Sequence, residues 1–271
     1  MRTSRVVALG ILYFALALAP RASAQVFPTA PPDHLHMSVP DPEKAVVWYV
    51  KHFGGARVPD PRPNQFSEVG YGPTVFRFFK RDTATPSDGS VIDRVGFTVS
   101  DVEAKVAEVV ADGGKVLMPV RSGPANGVQV AFLQDPWGIK IEAIHVPNES
   151  NRLFLIVLRA PDPEPLLKWV GDSFGGTRDK LMGRFDGLKY GDLWLLVQKS
   201  DADVQPSPGH SIDHLGWAVP NMKEDFPMLK SKGFKITVDP PRTSAPLILT
   251  YVEGPDGLSV ELSQNTNLTS K

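Results

Sequence analysis

The sequence predicts an α+β protein assembled from four copies of one strand–helix–strands module. Three observations carry that expectation. Asp41, Asp101, Asp162 and Asn221 each follow a strand-like apolar run and open a helix-like one, at spacings of 60, 61 and 59 residues. Gly54-Gly55, Gly113-Gly114, Gly175-Gly176 and Gly233 close the helices that follow, as glycine does just past a helix C-terminus. Finally, Asp135-Pro136-Trp137-Gly138-Ile139-Lys140-Ile141-Glu142 returns 119 residues later as Gly254-Pro255-Asp256-Gly257-Leu258-Ser259-Val260-Glu261. A module of about 60 residues thus occurs four times, the first pair copied as the second.

Each element has its own signal. In the first module Leu35, Met37 and Val39 alternate with His34, His36 and Ser38, the period of a half-buried strand. Asp41 then caps a helix with Pro42 at its first position and Glu43 in its first turn, a favourable start on all three counts. Val46, Val47, Tyr49 and Val50 supply its apolar face. Thr74 to Phe79 and Val128 to Leu133 read as later strands, and Pro227 is expected to start or kink the fourth helix. The first strand of every module has one apolar face for the helix, and His34, Arg94, Leu155 and His214 at the equivalent first position of the other. Glu142 and Glu261 alternate with Ile141 and Val260, so both carboxylates also face away from the helices. Such sheets, covered on one face and polar on the other, enclose a cavity.

Residues 1–24 read as a leader. Arg2 and Arg5 precede an apolar run from Val6 to Pro20, and Ala22-Ser23-Ala24 offers a small-residue cleavage pattern. Export to the periplasm or outside is expected, with cleavage near Gln25. The run is short of the roughly 20 apolar residues of a membrane span. Cleavage would leave 26 basic against 30 acidic residues. With no basic run, nucleic acid and anionic membranes are poor partners, and a small-molecule substrate is the expected one. There is no cysteine, so thiolate ligands and thiol nucleophiles are excluded.

The phrases His34-Leu35-His36-Met37-Ser38-Val39-Pro40-Asp41-Pro42 leading into Trp48-Tyr49, Ile212-Asp213-His214-Leu215-Gly216-Trp217, and the two Pro-x-Gly-x-x-x-Glu endings resemble the vicinal oxygen chelate superfamily. Its members include glyoxalases, extradiol dioxygenases, fosfomycin-resistance enzymes and bleomycin-binding proteins. The resemblance spans about residues 33 to 264. It implies βαβββ modules pairing into two cupped mixed sheets with helices on the outer faces. By sequence order the first domain is residues 25–147 and the second residues 148–271.

The resemblance also implies metal ligands on the first strand of one module and on the first and last strands of its partner. Pairing neighbours leaves His34, Arg94 and Glu142 in one half and Leu155, His214 and Glu261 in the other, neither complete. Pairing the first module with the fourth unites His34, His214 and Glu261, which suits Fe, Mn, Zn or Ni. Both pairings are physically available. The residues also fit blander roles, Glu142 as the buried partner of Arg94 and the histidines as cavity donors. Tyr251, ten residues before Glu261, resembles the extradiol dioxygenase tyrosine that holds the substrate oxygen. That family's upstream histidine is replaced by Arg242, Thr243 and Ser244, and a core tyrosine is the competing reading. Glyoxalase uses a fourth ligand, where the strand Thr74 to Lys80 offers Phe76, Arg77, Phe78 and Phe79. His36 and Ser259, beside His34 and Glu261 on the cavity face, are substrate-binding candidates, and Lys140 is placed like Ser259. Two functions follow: a metal-dependent dioxygenase, lyase or isomerase acting on a small diol, catechol or hydroxy-acid, or a metal-free protein that sequesters a small molecule.

Overall fold

A computed structural model describes residues 25–59 and 66–267. The expected leader lies outside them. Module one comprises β1 (His34–Val39), α1 (Pro42–Phe53), β2 (Ala56–Val58), β3 (Phe66–Tyr71) and β4 (Thr74–Lys80). Module two comprises β5 (Ile92–Thr98), α2 (Val102–Ala111), β6 (Lys115–Ser122), β7 (Gln129–Gln134) and β8 (Lys140–His145). Module three comprises β9 (Arg152–Ala160), α3 (Pro163–Phe174), β10 (Thr177–Leu181), β11 (Phe185–Tyr190) and β12 (Leu193–Lys199). Module four comprises β13 (Ile212–Ala218), α4 (Met222–Ser231), β14 (Lys235–Ile236), β15 (Arg242–Ser244), β16 (Leu247–Glu253) and β17 (Ser259–Asn265).

The strands form two mixed sheets, as an α+β fold requires. One runs β14-β16-β17-β13-β1-β4-β3-β2 with β15 on β16, and the other β10-β11-β12-β9-β5-β8-β7-β6. The first sheet is therefore built by modules one and four, the second by modules two and three. Both cut across the division at residues 147/148 expected from sequence order, since each sequence half supplies half of each sheet. The connection from β8 to β9 is short, so module three lies directly against module two. Module one is left with the last module to arrive.

The helix starts follow the capping rules. Asp41, Asp101 and Asp162 accept from the backbone N–H of Lys44, Ala104 and Glu164. Asn221 makes no such bond. Instead, the start of α4 is held by Asp225, which accepts from the Asn221 N–H, and by Gln264, which accepts from the Met222 N–H. The helix thus begins five residues ahead of Pro227 and runs through it, correcting the expectation that Pro227 starts it.

Helices and the inner sheet faces share one hydrophobic core that includes Leu35, Met37, Val95, Phe97, Ile156, Leu158, Leu215 and Trp217. Aromatic contacts tie modules together: Phe53 stacks on Phe97 and Phe174 on Trp217, with ring centroids 4.4 and 4.0 Å apart. Burying each such side chain contributes on the order of 2 kcal/mol. The alternation read from the sequence therefore sends the apolar faces inward and turns the other faces into two cups. Among the described residues no helix is long and apolar enough to cross a membrane.

Candidate metal centre

The centre of the first sheet is the antiparallel pair β1–β13, flanked by β4 and β17 in parallel. Its register pairs His34 with Gly216 and His36 with His214. Glu261 then pairs with Gly216, and Tyr251 with Glu261. This arrangement brings His34, His214 and Glu261 together, all buried, with their ligand atoms within 4.8 Å of one another. His34 Nε2 lies 3.7 Å from Glu261 Oε1, and His214 Nε2 lies 3.4 Å from Glu261 Oε2.

Room for the His34 ring comes from Gly216. A Cβ there would stand 2.0 Å from His34 Cε1, so no side chain fits opposite the ring. Both imidazoles are held from behind by a carboxylate one residue earlier in the chain. His34 Nδ1 is 3.2 Å from Asp33 Oδ1 and His214 Nδ1 is 2.8 Å from Asp213 Oδ1. Such bonds place a proton on Nδ1, so that each ring, once it loses its second proton, turns an Nε2 lone pair to the cup. The sequence reading missed Asp33 and Asp213. Their signal was a repeated Asp at 33, 93 and 213, always just before the first cup residue.

Burial works to raise the Glu261 pKa, but the His214 hydrogen bond, the charges of His34 and His214, and the Tyr251 hydroxyl outweigh it. The group is held far below the usual carboxylate range. Burial likewise works against a charged His214, and Asp213 and Glu261 overcome it, raising its pKa. Within the triad, two buried atoms nevertheless lack a hydrogen-bond partner among the described residues, His34 Nε2 and Glu261 Oε1. An unpaired buried polar atom costs about 1–3 kcal/mol. Both face the same gap, which a cation would fill, so the donor set fits a divalent transition metal.

Of the other sequence candidates, Tyr251 and His36 contact this group. Tyr251 donates to Glu261 Oε2 at 2.5 Å and sets the edge of its ring against His214. Burial, then Glu261, pushes the phenol's pKa well above its ordinary value, so it stays a donor. His36 Nδ1 lies 2.7 Å from His214 Nε2, while its own Nε2 has no partner among the described residues. Ser259 is half-buried two residues before Glu261 on β17. Lys140, by contrast, is in the second sheet, bound to Asp88 and Asp93.

The second sheet repeats the register with different chemistry. Gly96 pairs with both Leu155 and Glu142, so Leu155 stands where His34 does and Arg94 where His214 does. Arg94 donates to Glu142 at 2.8 Å, to Asp93 at 2.7 Å and to Gln198 at 3.0 Å. Leu155, Val157, Trp194, Leu196 and Phe154 form a separate buried cluster there. A cavity of about 690 Å³ lies elsewhere, lined among others by Phe53, Tyr71, Arg152 and Tyr190. Its cations are taken: Lys51 by Asp112, Lys105 by Glu108 and Arg152 by Glu149.

Residues 32–143 match the sequence model of the Glyoxalase/Bleomycin resistance protein/Dioxygenase superfamily. A curated relative, "Probable lactoylglutathione lyase, chloroplastic" of Arabidopsis thaliana, is 27% identical over 155 residues, covering 52% of this chain and 43% of that one. The chain thus spans less than half the length of that relative. Among solved structures, glyoxalase I from Zea mays superposes with a TM-score of 0.68 at 19% identity, covering 87% of this chain and 92% of that one. That likeness shows the fold.

Proposed function

Because the chain carries a domain of the glyoxalase/bleomycin resistance/dioxygenase superfamily, we propose that it is an exported metal-dependent enzyme acting on a small substrate with two vicinal oxygens. The observation that carries this reading is the convergence of His34, His214 and Glu261, buried, from the two ends of the chain. Fe, Mn, Zn or Ni bound there would supply Lewis-acid or oxygen chemistry, with open positions for substrate oxygens. The protein's part is orientation. Asp33 and Asp213 fix the imidazoles, Tyr251 fixes Glu261, and the half-buried His36 packs against His214. Tyr251 gives its one hydroxyl proton to Glu261 Oε2 and so orients that carboxylate, while its own oxygen can still accept from a substrate hydroxyl.

The lyase name of the curated relative supports a less specific inference. By the resemblance, a glyoxalase draws a fourth ligand from the last strand of a module. The strand in question, β4, presents Val75, Arg77 and Phe79 to the cup, since Phe76 and Phe78 are in the core. None of the three is a metal ligand, since a guanidinium has no lone pair to give. The three-ligand centre therefore favours chemistry that needs several open positions.

Metal analysis tests the reading. Purified wild-type chain is expected to hold near-stoichiometric transition metal that EDTA removes, and His34→Ala and His214→Ala to lose it equally. Retention in either single variant overturns the site, and a wild-type chain without metal under replete conditions leaves the sequestration alternative. Export rests on the pattern from Arg2 to Ala24. Mass spectrometry reads it: a mature N-terminus at Gln25 supports export, and an intact Met1 in the cytosolic fraction overturns it.

A further inference from the structure

The β1–β13 pair is locally two-fold symmetric, and that symmetry shows what stands opposite each ligand. His34 corresponds to His214, because His34 faces Gly216 and His214 faces His36. Glu261 pairs with Gly216 on one side of the axis, and Arg77 pairs with His36 on the other. Arg77 therefore occupies the corner related by symmetry to Glu261, a cation where the axis would repeat a carboxylate. The neighbouring strands follow suit. Tyr251 is cross-strand from Glu261 and binds it. Glu68 is cross-strand from Arg77 and binds it, Arg77 Nε to Glu68 Oε1 at 2.5 Å.

Glu68 is buried, and the Arg77 side chain is only 17% exposed, with its guanidinium 4.9 Å from the centre of the Phe66 ring. Ion pair and ring fix the guanidinium plane. Yet only Nε is engaged: among the described residues neither Nη has a hydrogen-bond partner. Two N–H groups on the outer edge of a held guanidinium form a planar fork that matches a carboxylate. In the second sheet the same position holds Leu196, paired with Val157 and facing Gly187, so the fold itself does not require a charge there.

We propose that Arg77, held by Glu68, binds a carboxylate of the substrate, so that this site takes small acids carrying a carboxylate in addition to the vicinal oxygen pair. The assignment rests on the metal reading above for the oxygen pair, and on Arg77 alone for the acid. It narrows the substrate from diols, catechols and hydroxy-acids in general to hydroxy-dicarboxylates and catechol carboxylates. Phe66 and Phe79 on the same face supply apolar walls beside the fork.

Calorimetric titration of the Co(II)-loaded chain with matched probes tests this. Malate against lactate, and 3,4-dihydroxybenzoate against catechol, each differ by one carboxylate. In at least one pair that carboxylate is expected to tighten binding tenfold or more, as charge-assisted bidentate bonds do. Arg77→Gln should erase the difference while Co(II) affinity stays within threefold. A carboxylate that adds nothing in either pair, or a gain that survives Arg77→Gln, overturns the proposal. Should Arg77→Gln fail to fold, Arg77→Lys keeps the charge and removes the planar fork. The gain must then fall, and its full persistence also overturns the assignment. A wild-type chain that takes up no Co(II) overturns the metal reading instead. The same titrations on the metal-free chain then read Arg77 by itself, with the same two outcomes.

Discussion

A single hydrogen atom at Gly216 decides whether His34 can reach the cup. Replacing it with a methyl group puts a carbon 2.0 Å from the imidazole, and Asp33 leaves the ring little freedom to turn. Gly216→Ala is therefore expected to weaken Co(II) binding by tenfold or more in a chain that still folds, measured by metal titration beside thermal unfolding. Gly96→Ala is the matched control. Its Cβ would meet Leu155 at 2.4 Å, an apolar side chain in a core, so about 1–3 kcal/mol of stability is lost to overpacking with metal affinity untouched. Equal metal loss in both variants would sink the idea. Period-two alternation said that His34, His214 and Glu261 face away from the helices, and the resemblance made them ligand candidates, with the pairing of modules left open. Asp33 and Asp213 were not legible. Alternation sends a residue adjacent to a histidine to the opposite face, yet a short carboxylate beside the strand's first cup residue reaches its neighbour's Nδ1. The glycine was equally silent, since its role depends on which strand lies across from it.

The turns that end the second and fourth modules read as copies, yet the element each serves differs. Asp135 is fully inside, accepting from the N–H groups of Trp137 and Ile139 through one oxygen and from the Tyr49 hydroxyl through the other. It thereby ties α1 to the turn before β8. Gly254 replaces it in the second copy, where a Cβ would stand 2.9 Å from Trp169. A shared Pro-x-Gly phrase fixed the turn and the strand after it, but not what the residue before the proline touches. The element also has a pH signature. Burial raises the Asp135 carboxyl to about 7, against hydrogen bonds that pull it down. A folded-state value above the unfolded one means that the folded chain holds this proton more tightly. The stability it contributes is full below about 4 and is lost as pH rises through about 7, by at most about 4 kcal/mol. Asp135→Asn keeps the shape and removes the titration. Its unfolding temperature should vary less between pH 4 and 7 than that of the wild type, and an unchanged slope would rule Asp135 out as the source.

At the scale of the whole molecule, duplication made two cups, and among the described residues one of them gathers two histidines and a carboxylate. Repeat spacing alone could not say which, because it counts modules without saying which ones pair. The histidines marked one pairing without deciding it: the union of first and last modules gathers two of them with a carboxylate, and the sheet order realises that union. In the other cup the Arg94–Glu142 pair and an apolar cluster fill the equivalent space. One metal per chain is therefore expected, not two. The same topology makes the site a long-range product of folding. His34 lies in residues 25–147, whereas His214 and Glu261 lie in residues 148–271, so neither half can assemble the centre alone. Each half on its own would also leave β1 or β13 as an unpaired edge, a template for wrong association. Expressed separately, the halves are expected to bind no metal and to associate non-specifically. Co-expressed, they should form one complex that binds one metal per pair, read by metal analysis of the copurified complex. Metal binding by either half alone would mean that the centre is not the meeting of the chain's two ends.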